Sequence, residues 1–546
     1  MILDVNITEK SFGPANLMPA IRFSVGDDEK VGLIGRNGVG KTTLFNILLG
    51  LDTDYSGEVI FRRGSSVVAT AQEHHDNQAQ TVMQYILSGL PEYASLSQII
   101  ETYPATMGDN LHKINQYTEA LARFENKGFY QIEDQVEREL TNFQIINMAH
   151  QPMSKLSGGQ KRMVEIIKVM HAQAQLALID EPTNHMDYLT KQIFLDWMRR
   201  TPEAMLIITH DRDVLSKVDH IIEIKDGKAF SYVGNYDAYL AQNTVATASG
   251  MNEYEVSRRQ IENLRKRVQY ARSKKASWTG TADKRNPFVV MERRALKEIK
   301  ELEQITKPSF WIDQSSVAEL DYKQAERYAK YKARNIRVGL DEGSARGKRI
   351  LAQVDDLSLG YGSPLFQEVN FILHDSDVVE LRGRNGAGKT TLVKTLLGQS
   401  SAEILAGEVW LDPQVRVGVY EQEVAQHYFN LPLRQAVERV YLDRNLSVTE
   451  TKVRQILSNY LFTEADIATP VRQLSGGQKA RLQIIAMLAN DPQLLILDEP
   501  TNHLDLPSIE ELENALEKYS GAILFISHDN YFRRRLGGRV VQIGIE

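Results

Sequence analysis

Two stretches of this 546-residue sequence hold the residue types that grip a phosphate chain. Gly35-Arg36-Asn37-Gly38-Val39-Gly40-Lys41-Thr42-Thr43 recurs 348 residues later as Gly383-Arg384-Asn385-Gly386-Ala387-Gly388-Lys389-Thr390-Thr391. In the pattern Gly-x-x-x-x-Gly-Lys-Thr, glycines let backbone N–H groups converge on phosphate oxygens at a helix N-terminus. Lys41 and Lys389 are then placed to reach the outer phosphates, and Thr42 and Thr390 to ligate magnesium. Each copy follows an apolar run (Val31 to Ile34, Val378 to Leu381) and precedes a helical one (Leu44 to Leu49, Leu392 to Leu397). That strand–loop–helix setting is what the motif requires.

Three further pairs repeat in the same order at an offset of 318 residues. They are Leu156-Ser157-Gly158-Gly159-Gln160 with Leu474 to Gln478, Ile179 to His185 with Leu497 to His503, and Thr209-His210-Asp211 with Ser527-His528-Asp529. The apolar runs ending at Asp180 and Asp498 read as buried parallel strands, and open α/β sheets place ligands at such ends. Asp180 and Asp498 therefore fit the support of magnesium, and Glu181 and Glu499 fit the positioning or deprotonation of an attacking water. The bland alternative makes these acids caps of the next helix. His210 and His528 each follow an apolar strand and are expected to face the terminal phosphate. Neither copy looks degenerate; the visible difference is Met186 in place of Leu504. Gln72 pairs with Gln422 at an offset of 350, so the first copy carries 32 extra residues, assigned to a polar stretch of helical spacing around Leu96 to Tyr130.

The repeats imply units at about 1–240 and 346–546, with a linker at 241–345. Net charge is −7, but Met251 to Leu340 holds 21 Lys+Arg against 12 Asp+Glu, so this segment is +9 and the remainder −16. A basic middle on an acidic body points to a nucleic-acid contact. Cysteine is absent, which excludes disulfides and cysteine-held zinc or iron–sulfur clusters. Nothing at the N-terminus reads as a signal peptide, and no apolar run reaches the roughly 20 residues that span a bilayer. A cytoplasmic location is expected. In the linker, Ile261, Leu264, Val268 and Ala271, and then Leu296, Ile299 and Leu302, have the spacing of two helices (Arg258 to Lys275, Val290 to Thr306) that pair as an antiparallel hairpin. Its tip, Ala276 to Phe288, combines Lys284 and Arg285 with Trp278 and Phe288. Such a tip suits phosphate contacts and stacking on bases. Pro308 to Ile312 is expected to end the second helix and pack the linker onto one of the two repeated units that flank it.

Leu-Ser-Gly-Gly-Gln separates this chain from other phosphate-loop proteins, and with it the motif set resembles ATP-binding cassette proteins over both halves. The implied fold class is α/β, two tandem P-loop ATP-binding cassette domains joined by a long helical-hairpin linker. The resemblance implies ATP and Mg2+ as cofactors, with Gln72 and Gln422 joining the magnesium residues. It also implies that Ser475-Gly476-Gly477-Gln478 completes the site of Lys41, and Ser157-Gly158-Gly159-Gln160 that of Lys389. Phe12 and Tyr361 match the family's adenine-stacking aromatic. Two cassettes in one chain, a basic helical linker and a repeated Asp-Glu-Pro-Thr-Asn-His-(Met/Leu)-Asp string resemble the ABC-F subfamily. The related E subfamily carries cysteine-bound clusters, for which this chain has no ligands. ABC-F membership implies an ATP-hydrolysing monomer whose cassettes pair within the chain. It implies binding to the ribosome in the exit-tRNA region, with the linker touching rRNA and peptidyl-tRNA and modulating translation. Other members protect ribosomes from antibiotics, which is the alternative within the family; the alternative outside it is the ATPase subunit of a membrane transporter.

Overall fold

The computed structural model describes the chain except for residues 13–14, 19, 72–78, 185, 276–285, 304–310, 314–315, 318–319, 321, 333–334, 339–348, 422–423 and 545–546. Two compact units result: residues Met1–Tyr236 together with Asn335–Glu546, and residues Asp237–Arg334. The first unit holds both cassettes.

The first cassette contributes β1 (Leu3–Phe12), β2 (Ala15–Met18), β3 (Ile21–Val25), β4 (Lys30–Gly35) and β5 (Ser56–Phe61). They are followed by β6 (Val67–Ala69), β7 (Leu176–Asp180), β8 (Ala204–Ile208), β9 (His220–Lys225) and β10 (Lys228–Val233). One sheet has the order β10-β9-β4-β8-β7-β6, and an antiparallel sheet has β2-β1-β3 with β5 on β1. Every residue of β7 and β8 is buried, as expected of parallel strands covered on both faces. The phosphate-loop strand β4 lies parallel to β8 and β9. The second cassette repeats the plan with β11 (Ile350–Gly360), β12 (Pro364–His374), β13 (Val378–Arg382) and β14 (Glu403–Leu411). Then come β15 (Val417–Tyr420), β16 (Leu494–Asp498), β17 (Ala522–Ile526) and β18 (Arg539–Gln542). Its parallel sheet runs β15-β16-β17-β13-β18, so β13 sits beside the strand that ends before His528.

The 32 extra residues fall in a helical layer of the first cassette. Helices Tyr93–Thr106 and Leu111–Asn126 pack side by side, and Leu96, Ala120 and Phe124 bury into a core with Val136, Leu140, Phe143 and Phe194. The rings of Tyr93, Phe124 and Phe129 meet at 5.2–5.7 Å. The insertion is therefore anchored by apolar contacts.

The second unit is built on a 40-residue helix, Tyr236–Lys275, and a shorter one, Pro287–Glu303. Ile261, Leu264 and Val268 bury against Ala295 and Ile299, with Leu302 beside them, and Ala271 is fully buried. Three expectations are corrected. Leu296 is 42% exposed, and Ala295, one residue earlier, takes its place in the seam. The long helix begins 22 residues before Arg258, because the buried face of its first half mixes polar Asn243 and Thr247 with apolar Tyr239 and Met251; Asn243 donates to the Trp311 carbonyl at 2.8 Å. Ile312 buries with Met251 and Tyr328 inside this same unit, where the sequence suggested a cassette as its partner; Pro308 to Phe310 lie outside the described residues. So does most of the tip, Trp278, Lys284 and Arg285 included. Of its flanks, Lys275 pairs with Glu292 at 3.4 Å, and Phe288 meets the Tyr270 ring edge-on at 6.3 Å.

Phe194 is fully buried at the centre of the helical core of the first cassette. Phe194→Ala is expected to cost about 3–5 kcal/mol, read as a lower urea midpoint for the cassette transition.

Candidate functional site

The phosphate loops lie between β4 or β13 and the helices Lys41–Leu48 and Lys389–Leu396. Gly40 (φ 99°) and Gly388 (φ 94°) cap these helices in left-handed backbone, a conformation that side chains with a Cβ rarely adopt. No side chain caps either helix, so the first N–H groups of each are left for an acceptor from outside. Both lysines are buried and fold back on their own loops. Lys41 donates to the carbonyls of Gly35 (2.6 Å) and Arg36 (3.2 Å), and Lys389 to those of Gly383 (2.7 Å) and Arg384 (2.8 Å).

At the strand ends, Thr390 Oγ1 donates to Asp498 Oδ2 at 2.8 Å, while Asp498 Oδ1 is buried without a hydrogen-bond partner among the described residues. Thr42 lines the first cavity with Asp180. A hydroxyl and a carboxylate suit a magnesium ion that takes its remaining ligands from phosphates and water. Among the described residues, no group of three or more acids and histidines makes a self-sufficient metal cage. The pair of one hydroxyl and one carboxylate leaves ligand positions for phosphate oxygens and water.

Glu181 and Glu499 follow these aspartates in left-handed backbone (φ 46° and 51°). Their amides are tied to the carbonyls of Ile208 (2.7 Å) and Ile526 (3.0 Å), which turns each carboxylate from the strand end into the cavity. Burial, and then the neighbouring Asp180 or Asp498, push both glutamates up to about 8. His210 Nε2 stands 3.8 Å from Glu181 Oε1, and His528 Nε2 3.4 Å from Glu499 Oε1. Burial, and then the nearby Lys41 or Lys389 charge, push both histidines down to about 3. Both ring nitrogens of His210 are buried without hydrogen-bond partners among the described residues.

The Ser-Gly-Gly-Gln segments are capping boxes. Ser157 Oγ accepts from Gln160 N at 3.3 Å while Gln160 Oε1 accepts from Ser157 N at 2.9 Å, and Ser475 and Gln478 do the same. The spacing of the motif is thereby explained by helix initiation, and the glutamine side-chain oxygens are spent on the cap. Ser475, Gly476 and Gly477 line a cavity of about 980 Å³ with Lys41, Thr42, Thr43, Glu181 and His210. Ser157, Gly158, Gly159 and Gln160 line another of about 630 Å³ with Lys389, Thr390, Thr391, Glu499 and His528. Tyr361 borders the latter and is 58% exposed. The side chain of Phe12, and Gln72, Gln422 and His185, lie outside the described residues.

Residues without an assigned role in the sequence reading hold the two cassettes together. Asp187 caps its helix through Thr190 N (2.9 Å) and accepts from Asn385 N across the interface (3.1 Å). Asp505 caps its own through Ser508 N (3.1 Å) and accepts from Asn37 N (3.1 Å). Both were visible as the last residue of the repeated Asp-Glu-Pro-Thr-Asn-His-x-Asp string, whose repetition is the signal that marks them. Other bridges have no counterpart in the repeat. Lys191 contacts Asp211 (2.8 Å), Asp213 (2.5 Å) and the His528 carbonyl (3.1 Å), and Arg212 holds Glu513 and Asp529. At the 318-residue offset these positions are Ile509 and Asn530, so no comparison of the copies would find them.

Gly477 packs so closely on Asn37 that a methyl there collides with its amide group. That amide donates to the His503 carbonyl at 2.9 Å. Gly477→Ala should therefore lower hydrolysis at the Lys41 site on the order of 10- to 100-fold, measured with Glu499→Gln present to silence the other site.

Comparison with known proteins agrees with this geometry. The profile of the family described as ABC transporter matches residues 18–184 and 366–502, one stretch in each cassette. The chain is 32% identical to a putative ATP-binding protein, YdiF, of Bacillus subtilis, over all of this chain and 80% of that one. It is 27% identical to the ribosome protection protein VmlR of the same organism, over 94% and 81%. With the energy-dependent translational throttle protein EttA of Mycobacterium tuberculosis it shares 28% over 96% and 88%. Among solved structures, the archaeal ribosome recycling factor aABCE1, in complex with a ribosomal stalk protein, superposes with a TM-score of 0.56 at 17% identity, over 96% and 85%, a likeness of fold alone. Two cassettes paired head to tail, a helical unit between them in sequence, and full-length similarity to these relatives establish that the chain belongs to the ABC-F family of ATP-binding cassette proteins.

Proposed function

We propose that this protein hydrolyses ATP to ADP and phosphate at two composite sites, and that it acts on the ribosome in the exit-tRNA region, modulating translation through its basic helical unit. The observation that carries this reading is similarity across 96% of the chain, helical unit included, to a protein named a translational throttle. The sites support it chemically. Lys41 and Lys389 exchange their loop carbonyls for outer phosphates, and the glycine-flanked amides hold the rest of the phosphate chain. Thr42 with Asp180, and Thr390 with Asp498, hold magnesium, which when bound neutralises phosphate charge. Glu181 and Glu499 orient the attacking water and accept its proton. His210 and His528, neutral by burial, donate or accept a hydrogen bond at the terminal phosphate. Each Ser-Gly-Gly helix N-terminus closes on the nucleotide held by the other cassette, so closure reports that ATP is bound.

On the helical unit, Arg265, Lys266 and Arg272 pair with Glu303, Glu262 and Glu292 yet keep more than half of each side chain exposed. They supply salt-sensitive attraction to RNA phosphates. A second reading, protection of ribosomes from antibiotics, is favoured by the similarity to VmlR. A transport ATPase with separate membrane subunits is the reading from another class; among the described residues, no helix is long and apolar enough to cross a membrane.

Replacing Glu181 and Glu499 together by Gln should keep ATP bound but lower hydrolysis at least about 100-fold, leaving the cassettes closed. The doubly substituted protein, sedimented from lysate with ATP, should then travel with ribosomes. Travel with membrane fractions instead would sink the translational reading and support the transporter one. Ribosome binding with drug resistance but no effect on drug-free translation would favour protection.

A further inference from the structure

The two sites differ in how the arginine of each phosphate loop is held. Arg36 and Arg384 occupy the same place in the repeat. Arg384 reaches into the first cassette, where the side-chain amide of Gln144, turned so that its oxygen faces the guanidinium, accepts from it and Asp187 lies 3.9 Å away. Arg36 instead reaches Asn335, the first residue after the helical unit, donating from Nη2 to Asn335 Oδ1 at 3.3 Å. The other end of the same amide donates to the Pro507 carbonyl at 2.6 Å. Pro507 stands two residues beyond Asp505, which holds the neighbouring Asn37 N–H. Asn335 is itself anchored. Its Oδ1 also accepts from Ile336 N (2.9 Å), Ile336 is 1% exposed in the helical core of the second cassette, and Arg337 N donates to the Asn459 carbonyl (3.1 Å). The chain leaving the linker thus plugs into the second cassette and presents one amide that joins the first phosphate loop to the helix after Asp505. Nothing in the Lys389 site plays this part among the described residues.

We propose that Asn335 is a positioning residue for the Lys41 site alone, through which the exit of the helical linker is tied to one ATP site and not to the other. By fixing Arg36, it sets the path of the loop whose amides meet the phosphates; it touches neither Glu181 nor His210. Displacement of the linker exit acts on nucleotide affinity at Lys41 before it acts on chemistry. The two sites are thereby unequal in what they sense. This rests on the reading of both cavities as ATP sites.

The test uses the full chain with one site left at a time. Binding of a non-hydrolysable ATP analogue is measured with Lys389→Ala, leaving the Lys41 site, and with Lys41→Ala, leaving the other. Asn335→Ala should weaken binding about tenfold at the Lys41 site, as loss of a hydrogen bond to a charged group implies, and leave the Lys389 site unchanged. Hydrolysis with Glu499→Gln present should show the same rise in KM with kcat unaltered. Asn335→Asp, which keeps an acceptor for Arg36 but cannot donate to Pro507, should stay near the parent value. If Asn335→Ala does not fold, Asn335→Ser, too short to span Arg36 and Pro507, replaces it. An equal loss at both sites, no loss at Lys41, or a loss in Asn335→Asp as large as in Asn335→Ala would overturn the proposal. Absence of analogue binding at both loops of the parent would instead overturn the ATP reading itself.

Discussion

Everything at the two sites depends on one arrangement: a buried aspartate that caps its own helix and also holds the phosphate loop of the other cassette. Asp187 and Asp505 each accept from a backbone N–H on both sides of the interface. Burial opposes their charge, but these hydrogen bonds outweigh it, with Arg36 adding to them at Asp505, and both carboxyls stay below their usual range. A charge that deep is stable only with all its partners in place. The interface therefore favours an all-or-none closure: if the cassettes part, each buried carboxylate loses a donor and each phosphate loop loses the acceptor that holds it.

Around this symmetric pair the remaining bridges are asymmetric. Burial works against the Lys191 charge, but Asp211, Asp213 and Asp529 outweigh it, and its amine also holds the carbonyl of His528. Arg212 is likewise held charged by Asp529 and Glu513 against burial. Both cations come from the first cassette. The histidine loops of the two sites are thus linked through first-cassette side chains, while the first phosphate loop is linked to the linker exit through Asn335. Two sites built from nearly identical motifs are thus held by different contacts, and the partners that differ lie outside the motifs.

Much of this protein was legible in its residues. Phosphate loops, Asp-Glu strand ends and Ser-Gly-Gly-Gln helix starts are local devices, since a loop that must place glycines at positive φ or a helix that must cap itself writes its need within a few neighbouring positions. The same holds for the seam of Ile261, Leu264 and Val268, which follows from helical periodicity. Repetition of these devices, in order, was enough to indicate two cassettes and the α/β class.

What the tertiary structure alone decided are the relations between distant segments. The sequence does not say that Lys191 meets His528, that Arg36 meets Asn335 or that Ala295 rather than Leu296 enters the seam, because each depends on where a side chain points after packing. The start of the long helix at Tyr236 was hidden for a related reason: its buried face there interleaves Asn243 and Thr247 with Tyr239 and Met251, which leaves no unbroken apolar period to read. Local chemistry is encoded locally, whereas the contacts that join the sites arise from packing two similar but unequal halves against each other.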